Sequence, residues 1–157
     1  MGHRRYEHGF YPHSDDRSFE KIGKGRGLGF NINVPLPGKG ADNADYLVVW
    51  EHILIPVARK YKPNLVIISA DFDAATDDPL GGFRINSKDF GHLLSKLKEF
   101  AEGKILMVLE GGYNVKYIPD CALACVEELL KDPKISPLAI SIGKESHEKA
   151  AESAVAE

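Results

Sequence analysis

Several features are scarce in this sequence, and each scarcity excludes something. No apolar run approaches the ~20 residues that a membrane-spanning helix needs, and Met1 to Asp16 is polar, without the apolar segment of a secretory signal. Positive charge is not in excess: 20 Lys and Arg stand against 23 Asp and Glu, a net charge of −3. That balance argues against nucleic-acid binding through phosphate attraction. The only cysteines are Cys121 and Cys125, which share one helical face in an apolar stretch. They read as reduced core residues of an intracellular protein, with no disulfide frame. The six histidines (His3, His8, His13, His52, His92 and His147) form no His-x-x-x-His and no Asp-x-His pair. A catalytic zinc takes three protein ligands plus water, and these histidines show no such grouping.

What is present is the balance of one α/β domain: 157 residues, 43% apolar and 27% charged, with no internal repeat. Three short apolar runs predict strands over residues 31–36, 65–69 and 105–109. The last two are continuous, as parallel strands covered on both faces are. Pro35 ends the first strand or places it at an edge. Apolar residues at spacings of three and four predict a helix over 42–61, with Asp42 as N-cap, Asp45 three residues on, and a kink or early stop at Pro56. A second helical pattern (Phe90, Leu93, Leu94, Leu97, Phe100) starts after Asn86-Ser87 and closes at Gly103. A third runs from about 119 to 131 and would bury Ala122, Cys125, Val126, Leu129 and Leu130.

The order β-α-β-α-β-α predicts a parallel sheet with crossover helices. Ligands bind such sheets at the carboxyl ends of the strands. Two loops are therefore expected on one edge: Asp71-Phe-Asp-Ala-Ala-Thr-Asp-Asp-Pro-Leu-Gly-Gly82 and Glu110-Gly-Gly-Tyr-Asn114. The carboxylates Asp71, Asp73, Asp77 and Asp78 either bind a cation or act as turn caps. Tyr113 either packs or offers its hydroxyl to a developing oxyanion. The cluster Gly23-Lys-Gly-Arg-Gly-Leu-Gly29 lacks the Gly-Lys-Ser/Thr ending of a phosphate loop and does not follow a strand. Residues 1–30 are expected to be a long loop, and 132–157 a mobile polar tail.

Several motifs together carry a resemblance. Ile67-Ile-Ser-Ala-Asp-Phe-Asp-Ala-Ala with Asp78-Pro-Leu-Gly-Gly82, then Leu109-Glu-Gly-Gly-Tyr-Asn114, resembles the C-terminal half of the zinc-dependent histone deacetylase domain. The class II branch and its plant members are nearest. His3-Arg, Tyr6-Glu-His-Gly-Phe-Tyr-Pro12, Gly25-Arg-Gly-Leu-Gly-Phe-Asn-Ile-Asn-Val-Pro35, Asp42-Asn-Ala-Asp-Tyr46 and Trp50-Glu-His-Ile-Leu-Ile-Pro56 agree in order. The resemblance covers about residues 3–131. It implies the C-terminal portion of the three-layer α/β/α arginase/deacetylase fold, with 1–131 a partial domain.

The resemblance also implies roles. Asp73 would be a zinc ligand, and Tyr113 would polarise the acetyl carbonyl. Leu80 and Tyr11 would line opposite walls of the tunnel for the acyl-lysine stem, and Gly111 and Gly112 would let substrate approach. The reaction would be hydrolysis of the acetyl-lysine amide by metal-activated water. Acetylated lysine on a histone or another protein is the implied substrate. Corepressors or sister deacetylase subunits are the implied partners, in nucleus or cytoplasm. The family's histidine pair and Asp-x-His ligands belong to an N-terminal half not found in this sequence, so activity of these residues alone is not expected. Asp71 stands where the family has glycine. Two alternatives remain beside this reading. One is a non-catalytic module that pairs with deacetylase complexes. The other is a magnesium-dependent phosphohydrolase using Asp71 and Asp73, which lacks the Thr or Val expected at Ala75.

Overall fold

The computed structural model describes residues 2–6 and 15–131. Among these residues there are four strands: β1 (Gly2–Tyr6), β2 (Asn33–Pro37), β3 (Val66–Ala70) and β4 (Ile105–Leu109). Four α-helices accompany them: α1 (Asn43–Val49), α2 (Ile55–Tyr61), α3 (Ser87–Leu97) and α4 (Ile118–Leu130). All pairing is parallel, as expected, but among the described residues it forms two separate two-stranded ladders instead of one sheet. β1 pairs with β2, and β3 pairs with β4 from Val66↔Ile105 to Ala70↔Leu109.

β1 corrects the expectation of a loop over 1–30. Gly2–Tyr6 lacks apolar periodicity, and its strand conformation comes from pairing with β2. The two prolines of β2 are tolerated because that strand has a single neighbour among the described residues. Tyr11 and the 132–157 tail lie outside the described residues.

The first helix starts as its sequence predicts. Asp42 Oδ1 accepts from Ala44 N–H at 2.9 Å, and Asp42 N–H donates to Asp45 Oδ2 at 3.0 Å, a reciprocal cap. Pro56 neither stops nor breaks the helix. A π turn over Trp50–Leu54 precedes it, with Ile55 N–H donating to Trp50 O, and the wider turn accommodates the missing donor. α3 stops at Leu97, earlier than its apolar spacing suggests. Ala101, Glu102 and Gly103 all take positive φ and carry the chain sharply into β4, while Phe100 still packs in the core.

Two apolar clusters hold these pieces together. One gathers Tyr46, Trp50, Phe83, Ile85, Leu93 and Leu97, with Trp50 Nε1 donating to Leu93 O at 3.2 Å. The other joins Ala70, Phe72, Ala75, Leu94, Cys121 and Cys125. Burial pushes the Cys121 thiol up to about 12 and Cys125 to about 11, with Cys125 and Asp120 adding to the first. Both thiols therefore stay protonated, as core cysteines do. α3 and α4 approach closely because Gly91 has no side chain: a Cβ there would stand 2.8 Å from Ala124 O. Val126 and Leu130, expected in the core, are exposed instead, since α4 faces the core through Cys121 and Cys125.

β3 and β4 are not covered on both faces. Val66, Ile68 and Ile105 pack inward, whereas Ile67, Leu106 and Val108 are 63, 51 and 41% exposed on the opposite face. The register places Ile67 beside Leu106, so this is one continuous apolar strip. Purified chain is expected to self-associate through it, and Leu106→Lys to shift sedimentation toward monomer. A soluble, cooperatively unfolding monomer of the unsubstituted chain would contradict this.

Candidate active site

The ends of β3 and β4 lead into the two loops singled out from sequence, and these loops are cross-tied. Glu110 N–H donates to Ala70 O at 3.1 Å and Phe72 N–H to Gly111 O at 2.9 Å, carrying the pairing past the last ladder residues. Gly111 N–H donates to Asp71 Oδ1, also at 2.9 Å. Parallel strands thus bring both loops to one edge, as expected.

Asp73 sits in a 3-10 turn, Phe72–Ala74. Its neighbour Phe72 anchors that turn, buried edge-on against Phe90 with centroids 5.1 Å apart. Beyond it, Ile85 N–H donates to Ala74 O and Thr76 N–H to Ile85 O, at 3.1 and 3.0 Å. The returning strand segment is fixed in turn by Arg84 N–H to Ala41 O and by Asn86 N–H to Asn43 Oδ1, both 2.9 Å. The turn bearing Asp73 is therefore tied to the start of α1 through residues 84–86.

Asp78, 8% exposed, organises the rest. Its Oδ1 accepts from Leu80 N–H at 2.9 Å and Gly81 N–H at 3.0 Å. Its Oδ2 accepts from Tyr113 N–H at 2.8 Å and Asn114 N–H at 3.3 Å. Asn114 Nδ2 returns a bond to Asp77 O at 3.1 Å. One carboxylate thereby holds both loops, and its four donors offset the cost of burying it. Leu80 and Tyr113, whose main chains it fixes, are 54 and 53% exposed.

Three glycines make the close approach possible. A Cβ on Gly81 would lie 1.6 Å from Asp73 O, and one on Gly112, at φ +132°, 3.1 Å from Phe72 Cβ. On Gly111 it would lie 2.6 Å from Asp71 Oδ1 and 3.9 Å from Asp73 Cγ. Against the backbones of Gly111 and Gly112 stand the Asp71 carboxylate, Phe72 and Ile118.

Sequence reasoning missed two residues. Asp78 figured only among possible cation ligands or solvated caps. It is a cap, but a buried one, and the Asp-Pro-Leu-Gly turn chemistry was the available signal. Tyr46 lies on the apolar period of the helix expected over 42–61, and periodicity cannot distinguish its phenol from a phenyl ring. It is 2% exposed, and burial together with the negative charges of Asp73 and Asp71 raises its pKa, so the phenol stays protonated.

Among the described residues, no three His, Cys, Asp or Glu side chains gather where they could hold a metal ion. Asp73 with Asp71 nearby falls short of the three protein ligands of a catalytic zinc, so these residues do not by themselves fit that metal.

With this geometry, a family model described as "Histone deacetylase domain" matches residues 2–129, and the chain belongs to the histone deacetylase family. Histone deacetylase 18 of Arabidopsis thaliana is 52% identical over 132 residues, which are 83% of this chain and 19% of that protein. Polyamine deacetylase HDAC10 of Danio rerio is 44% identical over 130 residues, 82% of this chain and 19% of that protein. The solved structure of the histone deacetylase Clr3 superposes with a TM-score of 0.79 at 35% identity, covering 88% of this chain and 25% of that one. The fold is thus part of the arginase/deacetylase fold, as the resemblance implied. The chain spans about a fifth of the length of these two relatives.

Gly81→Ala is expected to destabilise the protein by about 1–3 kcal/mol, the usual cost of overpacking, because the new methyl must displace the Asp73 carbonyl. The shift of the urea midpoint measures it. An unchanged midpoint would show that the Asp73 turn is not clamped by this glycine.

Proposed function

We propose that this chain supplies one face of a lysine deacetylase reaction site, in a domain that other family residues complete. Tyr113 donates its phenolic hydrogen to the acetyl oxygen and stabilises the charge that develops there when water adds to the carbonyl carbon. The C–N bond then breaks, giving acetate and the free lysine amine. Asp73 would be the chain's one acidic ligand toward the zinc that the family implies, a metal that would act as Lewis acid and activate water when bound. Leu80 lines the channel for the acyl-lysine stem, with Tyr11 opposite, and the Gly111-Gly112 backbone forms the floor leading to Tyr113.

The observation that carries this reading is the single edge at which Asp78 joins the exposed Leu80 and Tyr113, with the Asp73 turn tied to the same loops. Acetylated lysine on a histone or another protein is the substrate favoured by the relative named a histone deacetylase, which is more similar than the relative named a polyamine deacetylase. Corepressors or sister deacetylase subunits are the proposed partners, in nucleus or cytoplasm. No described helix is long and apolar enough to cross a membrane. The phosphohydrolase reading gives way to the family match over residues 2–129.

The test is a chimera in which residues 2–129 replace the matching segment of the Arabidopsis relative. It is expected to hydrolyse acetyl-lysine peptide, and Tyr113→Phe to lower turnover about 10²–10³-fold, the loss typical of one oxyanion donor. Turnover unchanged by Tyr113→Phe would sink the assignment. Faster turnover of an acetylated polyamine would replace the substrate class.

A further inference from the structure

The Asp71 side chain does something that neither the family comparison nor the proposed reaction assigns. The β3–β4 ladder ends at Ala70↔Leu109, and beyond it Gly111 is held at both of its polar main-chain atoms. Its carbonyl accepts from Phe72 N–H at 2.9 Å, and its N–H donates to Asp71 Oδ1 at 2.9 Å. The second bond goes to a side chain, so it depends on the residue type at position 71 and not on strand geometry. The fit is tight, since a Cβ on Gly111 would fall 2.6 Å from the same oxygen.

Two residues on, Asp78 takes the Tyr113 and Asn114 N–H groups. Between these fixed points lies Gly112 at φ +132°, packed where any side chain would press on Phe72 and Ile118. The loop is therefore pinned by one carboxylate at each end, with no slack at its middle residue. Asp71 also adjoins the turn bearing Asp73: the position beside Gly111 that lies 2.6 Å from Asp71 Oδ1 lies 3.9 Å from Asp73 Cγ.

We propose that Asp71 is a positioning residue that latches the Tyr113 loop to the Asp73 turn through its bond to the Gly111 amide. What it positions rests on the deacetylase reading above, but the latch itself does not. Asp71 adds a side-chain bond to the main-chain pairing that reaches Gly111 from Phe72, and so helps to set how far the phenol-bearing loop stands from the Asp73 turn. A neutral amide oxygen at position 71 can accept the same bond, whereas a methyl group cannot.

The test uses the full isotopically labelled chain and its Asp71→Ala and Asp71→Asn variants. A scalar coupling across the hydrogen bond, from the Gly111 nitrogen to the Asp71 carboxyl carbon, is expected in the unsubstituted chain. Asp71→Ala should speed Gly111 amide exchange at least about tenfold, the scale of one lost hydrogen bond, and speed Tyr113 exchange less. Met107 and Val108 amides in β4 should be unaffected, and Asp71→Asn should restore Gly111 protection. Absence of the coupling, unchanged Gly111 exchange in Asp71→Ala, or equal acceleration across β4 would each overturn the latch. No substrate is involved, so these results stand apart from the chimera experiment: loss of the deacetylase assignment there leaves the latch measurement intact, and loss of the latch leaves that assignment intact.

Discussion

A carboxylate withdrawn from water must find hydrogen-bond donors, and the Asp78 side chain finds four main-chain N–H groups on two loops. The rest of the site depends on this constraint. Charge-assisted bonds to amides are roughly twice as strong as neutral ones, and removing their shared acceptor would leave several donors unmatched at once. A loop of Gly-Gly-Tyr-Asn has little internal stiffness, so its path is dictated from outside. Asp78 dictates it at Tyr113 and Asn114, and Asp71 at Gly111.

Packing completes what the carboxylates begin. Gly81 lies against the Asp73 carbonyl, Gly112 against Phe72, and Gly91 against Ala124 on the neighbouring helix. At Gly81 and Gly91 two backbones approach more closely than a methyl group permits, and at Gly112 the backbone lies against the Phe72 and Ile118 side chains. Phe72 and the two protonated cysteines fill the space beneath them. The Tyr113 and Leu80 side chains are left exposed on an edge whose main chain is tied down by hydrogen bonds. That is the arrangement a preorganised site requires.

Much of this was legible in the sequence, for reasons that differ from element to element. The apolar runs of β3 and β4, the Asp42 cap and the proline in the first turn of α4 are local signals, and local physics suffices for them. Asp73 and Tyr113 share an edge because parallel strands admit no other placement of their following loops. The pairing of Gly2–Tyr6 with β2 was not legible, because a strand of Gly, His and Arg is made by its partner and not by its own pattern. Pro56 predicts a kink or early stop because sequence shows the missing donor but not the wider π turn that accommodates it. Exposure of Val126, Leu130, Ile67 and Leu106 was equally hidden, because an apolar period tells which residues share a face and not whether anything covers it.

One carboxylate thus binds the two loops into a single piece. Amide exchange in Asp78→Ala reads this out: Leu80, Gly81, Tyr113 and Asn114 are expected to lose protection together, while amides of α3 keep theirs. Loss confined to Leu80 and Gly81, with Tyr113 and Asn114 still protected, would contradict it and leave the tyrosine loop held by something else.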